Sequence, residues 1–556
     1  MGGVGKPVSD VPQAKMVGWY DPSQLAQTGV KVAVSTVFGR HADFRLIEAL
    51  DRRGDGSPYY DHTVDWVDDL DGEHPDQNRP RTEIWIDYVA DTGDGWNPTY
   101  AIASVLAQST VDIPLEDGRL QVTKRGDLLV FGGDEVYPTA SRGEYRQRLV
   151  DPYRAALSQT DAPHPHGFAV PGNHDWYDSL VSFTRLFCAG RWFGGWRTQQ
   201  DRSYFAIKLP QKWWLLGTDV QLGSDVDDKQ VEYFRTVATQ FTEGDRIILC
   251  NAEPHWIYSA LYGDYDAAVY NEGNLAFLER HVLGKRVSVF LAGDLHHYRR
   301  HEAVDGTQKI TAGGGGAFLH PTHGLDVATI EERDDKGLPT GRLFKLRQSW
   351  PSARTSRRLC WRNIVFAYWN PRFGVAPAAL YVLIAWTFLV DLSNLHSLRG
   401  VFDSLGTSIL QRPAVVFLTA GLLSAFVFFT DTHSPAYRWI AGLLHGAAHL
   451  FAIVLLGWGA SVLTGQVLNL PFQSPRQLLV VGAMIFAGGW IVAGVIMGLY
   501  LLISLNVFKR HSNEAVLRSP HRGLETFPSS PHRPDGRAHD LPDRLGSRPT
   551  PLGPEG

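Results

Sequence analysis

The sequence predicts an α/β domain followed by an all-α transmembrane bundle of about four helices, and two observations carry that prediction. Up to about residue 370, short apolar runs of strand length alternate with charged and turn-forming segments; beyond it come long runs almost free of charge. Five of the strand-length runs also stop abruptly at acidic, amide or imidazole residues, at the strand ends where open α/β sheets collect ligands. At 556 residues there is room for two or three domains. The expected order is an N-terminal segment (1–30), the α/β domain (31–345), a basic juxtamembrane linker (346–372), the membrane domain (373–508) and a disordered tail (509–556). That tail is rich in Pro, Arg, His, Ser and Gly and too poor in apolar residues to offset its ordering entropy.

In chain order, the first run, IWIDYVADTGDG, is a strand over 84–90 that delivers Asp91, Gly93 and Asp94. DLLVFGGDEVYP delivers Asp134 and, three residues on, Tyr137. GFAVPGNHDWYD delivers Asn173, His174 and Asp175; DRIILCNAEPHW delivers His255; RVSVFLAGDLHHY delivers Asp294, His296 and His297. Each ending alone is an ordinary turn, since Asp and Asn form turns wherever they occur. Five endings that converge on one set of oxygen and imidazole donors point instead to a metal site.

Charge and cysteine content narrow the rest. A net charge of −5 with near balance of acidic and basic residues gives no field that would draw nucleic acid. Cys188, Cys250 and Cys360 are few, scattered and odd in number, so neither a disulfide framework nor a CxxC metal site is expected. The N-terminal residues contain no apolar run of signal-peptide length, and the first domain is expected in the cytosol.

Four apolar runs come next, over 373–390, 413–430, 438–463 and 478–505. A bilayer takes about 20 apolar residues, so the first two are marginal and the last two comfortable. Arg354, Arg357, Arg358, Arg362 and Arg372 precede the first run, and Lys509 and Arg510 come after the last. By the positive-inside rule both ends face the cytoplasm, although Arg399 and Arg412 in the first loop run the other way. His445 and His449, four apart on one face, read either as a proton or ion path or as interhelical hydrogen-bonders. Gly442 with Gly446, and Gly494 with Gly498, have the small-residue spacing of closely packed membrane helices. Asp431-Thr432-His433 spells DxH but stands alone after a membrane run and reads as a turn.

The ordered blocks resemble the calcineurin-like metallophosphoesterases over residues 30–330, most specifically at Gly133-Asp134-Glu135-Val136-Tyr137 and Gly172-Asn173-His174-Asp175. The first block has Gly93 where the family usually has His, a substitution shared with purple acid phosphatases, which carry a Tyr at the spacing of Tyr137. The fifth block has Asp294 where the family has the first His of GHxH, which shifts the donor set toward oxygen. The resemblance implies a four-layer α-β-β-α sandwich and two divalent or mixed-valence metal ions (Mn, Fe or Zn). Asp91, Asp134 and His296 would hold one, with Tyr137 or Asp94 as a further ligand; Asp134, Asn173, His255 and Asp294 would hold the other. It implies in-line attack by a bridging hydroxide, with His174 serving the leaving oxygen and Asp175 orienting its ring.

The activity so implied is hydrolysis of a phosphomonoester, phosphodiester or pyrophosphate at the cytosolic membrane face of an integral membrane protein. Membrane lipid is an expected partner, and the substrate is either lipid-linked or a soluble nucleotide or phosphoprotein. Between the third and fourth blocks, Arg185, Arg191 and Arg197 with Trp192 and Trp196 either line a phosphate pocket or pack over the core. The competing readings are a catalytically weak ligand sensor that signals through the helices, and a regulated transport conduit.

Overall fold

The computed structural model describes residues 13–39, 57–66, 79–114, 118–159, 164–220, 226–262, 273–324, 327–334, 336–392, 400, 412–430 and 434–510. Asp431, Thr432 and His433, the loop carrying Arg399, and the tail from 511 lie outside the described residues. The described chain forms two compact units, one from residues 13–17 and 27–353, the other from 18–26 and 354–510.

Among the described residues of the first unit are the strands β1 (Tyr60–Asp61), β2 (Ile86–Val89), β3 (Thr110–Pro114), β4 (Leu120–Lys124), β5 (Leu128–Gly132), β6 (His166–Val170), β7 (Trp192–Phe193) and β8 (Trp196–Thr198). After these come β9 (Phe205–Leu209), β10 (Trp213–Gly217), β11 (Arg246–Cys250), β12 (Val287–Ala292), β13 (Tyr298–Ala303), β14 (Gln308–Ala312), β15 (Thr329–Arg333) and β16 (Pro339–Trp350). They build a five-stranded sheet in the order β2-β5-β6-β8-β7, a nine-stranded sheet in the order β1-β9-β10-β11-β12-β14-β13-β16-β15, and the hairpin β3-β4. In the first sheet β2, β5, β6 and β8 are parallel, and in the second β10, β11, β12 and β14 are parallel. Parallel strands are covered on both faces, which is why β5 and β6 are buried along their whole length and are apolar apart from His166.

Three apolar cores surround these sheets. One joins Tyr88, Val130 and Phe168 of the five-stranded sheet to Phe205, Leu215 and Leu291 of the nine-stranded one. A second sets Leu129, Phe131 and Ala169 against Ala103, Tyr153 and Phe183 on helical segments. The third sets Trp214, Leu249 and Phe290 against Phe234, Ile257 and Leu278, again helical. The strand β16, whose residues pair with β13, runs to Trp350, and the units part between Ala353 and Arg354.

The second unit is helical. Pro435–Val467 and Pro475–Asn506, of 33 and 32 residues, are long and apolar enough to cross a membrane. The other two runs form the apolar helices Val375–Leu392 and Pro413–Phe429, of 18 and 17 residues, somewhat short of the roughly 20 that a span takes. His449 Nδ1 lies 2.7 Å from the Tyr381 hydroxyl on another helix, and His445 stacks on Tyr500 at 3.9 Å, so both imidazoles tie helices together. Leu444, Phe451, Leu479 and Ile491 are exposed on the two long helices. In water each such side chain forfeits roughly 1.5–3 kcal/mol of burial, a loss that an apolar surround removes.

Candidate metal centre

Four strand ends bring the predicted donors to one edge. β2 ends just before Ala90-Asp91, β5 before Gly133-Asp134, β6 before Pro171-Gly172-Asn173 and β12 before Gly293-Asp294-Leu295-His296. Because β2, β5 and β6 are parallel neighbours, their endings fall on the same side of one sheet. Asp91, Asp134, Asp294 and His296 all have left-handed backbones, with φ of +58°, +54°, +67° and +43°. Such conformations cost on the order of 1–3 kcal/mol each and persist where the surroundings impose them, most often at functional sites. Close approach adds to the constraint, since a Cβ on Gly313 would lie 2.0 Å from Asp91 Oδ2.

Asp91, Asp134 and His296 are buried, and each offers one donor atom within 4.8 Å of the others. The Tyr137 hydroxyl lies among them, 2.8 Å from His296 Nε2, 3.0 Å from Asp134 Oδ2 and 3.4 Å from Asp91 Oδ1. His296 Nδ1 faces the Phe318 carbonyl at 2.7 Å, and a carbonyl only accepts, so Nδ1 carries the proton and Nε2 turns its lone pair to the cluster. Metal-ligating imidazoles are oriented in this way. Asp94, the alternative to Tyr137, instead accepts from the Val17 amide at 3.1 Å and is directed at the N-terminal segment.

Asp294 stands beside this group: its amide donates to Asp91 Oδ1 at 3.0 Å, and its carboxylate accepts from the Tyr258 hydroxyl. Asn173 opens the short helix Asn173–Trp176 and donates to the Tyr177 hydroxyl at 3.3 Å. The His174 amide donates to Asp134 Oδ1 at 2.9 Å, while its Nδ1 meets the Pro138 carbonyl at 2.7 Å, which leaves Nε2 as its exchangeable nitrogen.

Three further groups have these partners. His174 is oriented by Pro138 and not by Asp175; the buried Asp175 accepts from Tyr145, Gly172 and Glu135 and pins the third block to the second. His255 sits on the helix His255–Tyr262, with Nε2 3.3 Å from Glu279 and Nδ1 3.3 Å from Asn251, so both ring nitrogens already have side-chain partners. Arg197 pairs in register with His166, at the amino end of β6 and opposite Asn173, and stacks on Trp192, while Trp196 is core. Arg191 pairs with the Thr198 hydroxyl through its amide at that same far end.

Sequence reasoning passed over Glu253. The preceding Ala252 receives the Gly293 amide at 3.0 Å and lies where a Cβ on Gly133 would sit 2.9 Å from its own. Glu253 therefore comes directly after a residue wedged between the loops that carry Asp134 and Asp294. Burial first, then Asp294 and Asp134, push its carboxyl up to about 8.

The same repulsion runs through the cluster. Burial and then Asp134 hold Asp91 well above the usual carboxylate range, burial raises Asp134, and burial pushes Asp294 up to about 6. Burial keeps His296 neutral by holding its pKa well below the ordinary value. Among the described residues, no Lys or Arg forms an ion pair with Asp91, Asp134 or Asp294. Buried carboxylates that crowd together without a cationic side chain, beside a neutral imidazole and a phenol, form a donor set suited to a hard or borderline metal ion.

No family model and no curated protein matches the chain. Among solved structures it is similar to GAP50, the anchor in the inner membrane complex of Plasmodium, at 13% identity and a TM-score of 0.32, covering 49% of this chain and 91% of that one. It is similar at the same identity and TM-score to the purple acid phosphatase PPD1 from yellow lupin (Lupinus luteus) seeds, covering 49% of this chain and 55% of that one. The chain thus spans little more than half of the lupin enzyme. At that score neither likeness decides the fold or the activity of this chain.

Proposed function

We propose that this chain is a metal-dependent phosphoesterase held in a membrane by its C-terminal helices. The observation that carries the reading is the convergence of Asp91, Asp134, Tyr137 and His296 at the carboxyl ends of parallel strands. The three apolar cores support a four-layer α-β-β-α arrangement around that edge. The long apolar helices support a membrane bundle, with the two shorter ones as its remaining members.

Asp91, Asp134, Tyr137 and His296 would hold one metal ion, and Asp134, Asp294, Asn173 and Glu253 a second. When bound, the two ions supply positive charge to the phosphoryl oxygens and a nucleophile at neutral pH. His174 holds its Nδ1 proton against Pro138, so Nε2 gives or takes the proton at the leaving oxygen. Asp175 keeps Gly172 and Glu135 in place and so sets where His174 and Asp134 stand. The substrate is a phosphomonoester, phosphodiester or pyrophosphate, either lipid-linked or soluble.

A second reading is favoured by Asp294 in place of a histidine and by the engagement of His255 with Glu279. Weakened at its second position, the domain would then sense a ligand and turn over little substrate. Metal analysis of the purified full-length protein, combined with hydrolysis of an aryl phosphomonoester and phosphodiester, separates the two. The hydrolase reading expects metal and turnover, loss of both in Asp134→Ala, and a fall of about 10²–10⁴-fold with metal retained in His174→Ala. Stoichiometric metal without hydrolysis of either ester would favour the sensor.

A further inference from the structure

Residues 353–372, ARTSRRLCWRNIVFAYWNPR, hold five arginines and no acidic residue. They form the successive short helices Ala353–Cys360, Trp361–Val365 and Phe366–Trp369. Ser356, Cys360, Asn363, Phe366 and Asn370 are buried at spacings of three or four, so one face of the whole stretch turns inward. That face lies on Pro475–Asn506. A Cβ on Gly494 would stand 2.7 Å from the Ala367 Cβ, and one on Gly498 would stand 2.1 Å from the Asn363 carbonyl oxygen. The small-residue spacing of these glycines thus makes room for the segment 353–372. Trp490 donates to the Pro371 carbonyl, so the segment runs antiparallel to the last helix from the level of Gly498 to that of Trp490.

The opposite face is exposed. Arg354, Arg357 and Arg358 point outward at spacings of three and four, and among the described residues none of them makes an ion pair. Arg372 is set apart by its pairing with Asp21 at 3.2 Å. Directly after the three arginines, Trp361, Ile364, Val365 and Trp369 are exposed, and Tyr368 is 74% exposed. An apolar patch of this kind marks an interaction surface. Aromatic rings collect at headgroup level in membranes, guanidinium forks match phosphate oxygens, and basic segments beside a span are drawn to acidic lipid.

We infer that residues 353–372 form a binding surface for acidic phospholipid, with Arg354, Arg357 and Arg358 taking headgroup phosphates and Trp361, Tyr368 and Trp369 seated at the boundary of headgroup and acyl chain. The inference rests on the membrane reading proposed above and adds a headgroup preference to it. Zwitterionic headgroups also carry phosphate, but their choline charge opposes the arginines, so the preference is for net negative lipid.

The test is spin-label spectroscopy of the full-length protein in phosphatidylcholine vesicles doped with spin-labelled phosphatidylglycerol or spin-labelled phosphatidylcholine. At low salt the acidic label should be restrained preferentially, by roughly fivefold in association per engaged arginine, and the preference should collapse in molar salt. Arg354→Gln, Arg357→Gln and Arg358→Gln together should bring the two labels level, while the corresponding triple lysine variant retains most of the selectivity. Equal restraint of both labels by the native protein overturns the inference, as does a preference that survives molar salt. The salt series needs no variant, so a misfolded triple mutant leaves the test intact. Restraint of neither label would instead mean that the helices are not in the bilayer, and the membrane reading itself would fall.

Discussion

Burial drives both the chemistry and the fragility of the centre at the level of single residues. A carboxyl whose folded-state pKa is raised keeps, on folding, a proton that the unfolded chain releases. Its contribution to stability is therefore complete below the unfolded pKa and is lost as pH rises through the folded one. Asp294, raised from 3.8 to about 6, and Glu253, raised from 4.5 to about 8, place that loss between about pH 4 and pH 8. With metal removed by chelation, the melting temperature should fall as pH climbs through this window; metal should abolish the trend, since a cation favours the charged form. A flat profile in the chelated protein would contradict the placement of these carboxyls. On the proposed two-metal reading, Glu253→Gln should lower metal content and reduce turnover, while His255→Gln should leave metal content close to native; metal analysis of the two variants decides between them. Most of the donors were legible in the sequence because they stand within five residues of a strand end, where a parallel sheet displays its connecting loops. Glu253, the third residue after Cys250, and His255, the fifth, both meet that condition, and only the fold shows that the His255 ring nitrogens face Asn251 and Glu279. The choice between Tyr137 and Asp94 was not legible, because both come just after strand ends and only the fold brings residue 17 to Asp94.

Among the elements, the parallel strands were the most legible, because burial on both faces leaves an unbroken apolar run bounded by Gly and Asp. Less legible was how closely the two sheets approach at the site, which depends on glycines whose neighbours are remote in sequence. Gly313 is the sharpest instance, since its missing side chain is the space that Asp91 occupies. Gly313→Ala should displace the Asp91 carboxylate, lower metal content and cost about 1–3 kcal/mol as overpacking. Gly306→Ala serves as the control, because a Cβ there meets nothing within 4 Å, although its φ of +82° carries its own backbone cost. Urea unfolding with parallel metal analysis checks both: a Gly313→Ala protein with full metal content would show that Asp91 is not held where the ion binds. The short apolar helices were harder to read, since composition gives the apolar content of a run but not where its helix begins and ends. The expected span at 373–390 is an 18-residue helix, Val375–Leu392, preceded by the short helices of 353–372, which composition alone assigns to a linker.

For the whole molecule, the proposed function requires the chain to cross the bilayer with a definite orientation. Pro435–Val467 and Pro475–Asn506 are joined through only seven residues, 468–474, and Asn469 and Gln473 take left-handed backbones there. A connection that short returns the chain antiparallel. Gln477 reaches back to the Thr464 hydroxyl, which fastens the two helix ends beside the turn. If both helices span, residue 469 and residue 509 lie on opposite sides, and the basic pair Lys509-Arg510 assigns 509 to the cytoplasm. A cysteine introduced as Asn469→Cys should therefore react in intact cells with a membrane-impermeant maleimide, while Lys509→Cys should react only after the cells are opened. Cys188, Cys250 and Cys360 are free thiols, so each would first be replaced by serine and hydrolysis checked in that background. Reversal of the two reactivities would put the metal centre's expected cytosolic location in doubt while keeping the hairpin. Equal reactivity of both positions in intact cells would remove the hairpin as a pair of spans, because two helices of this length cannot separate their ends from the turn without a bilayer between them.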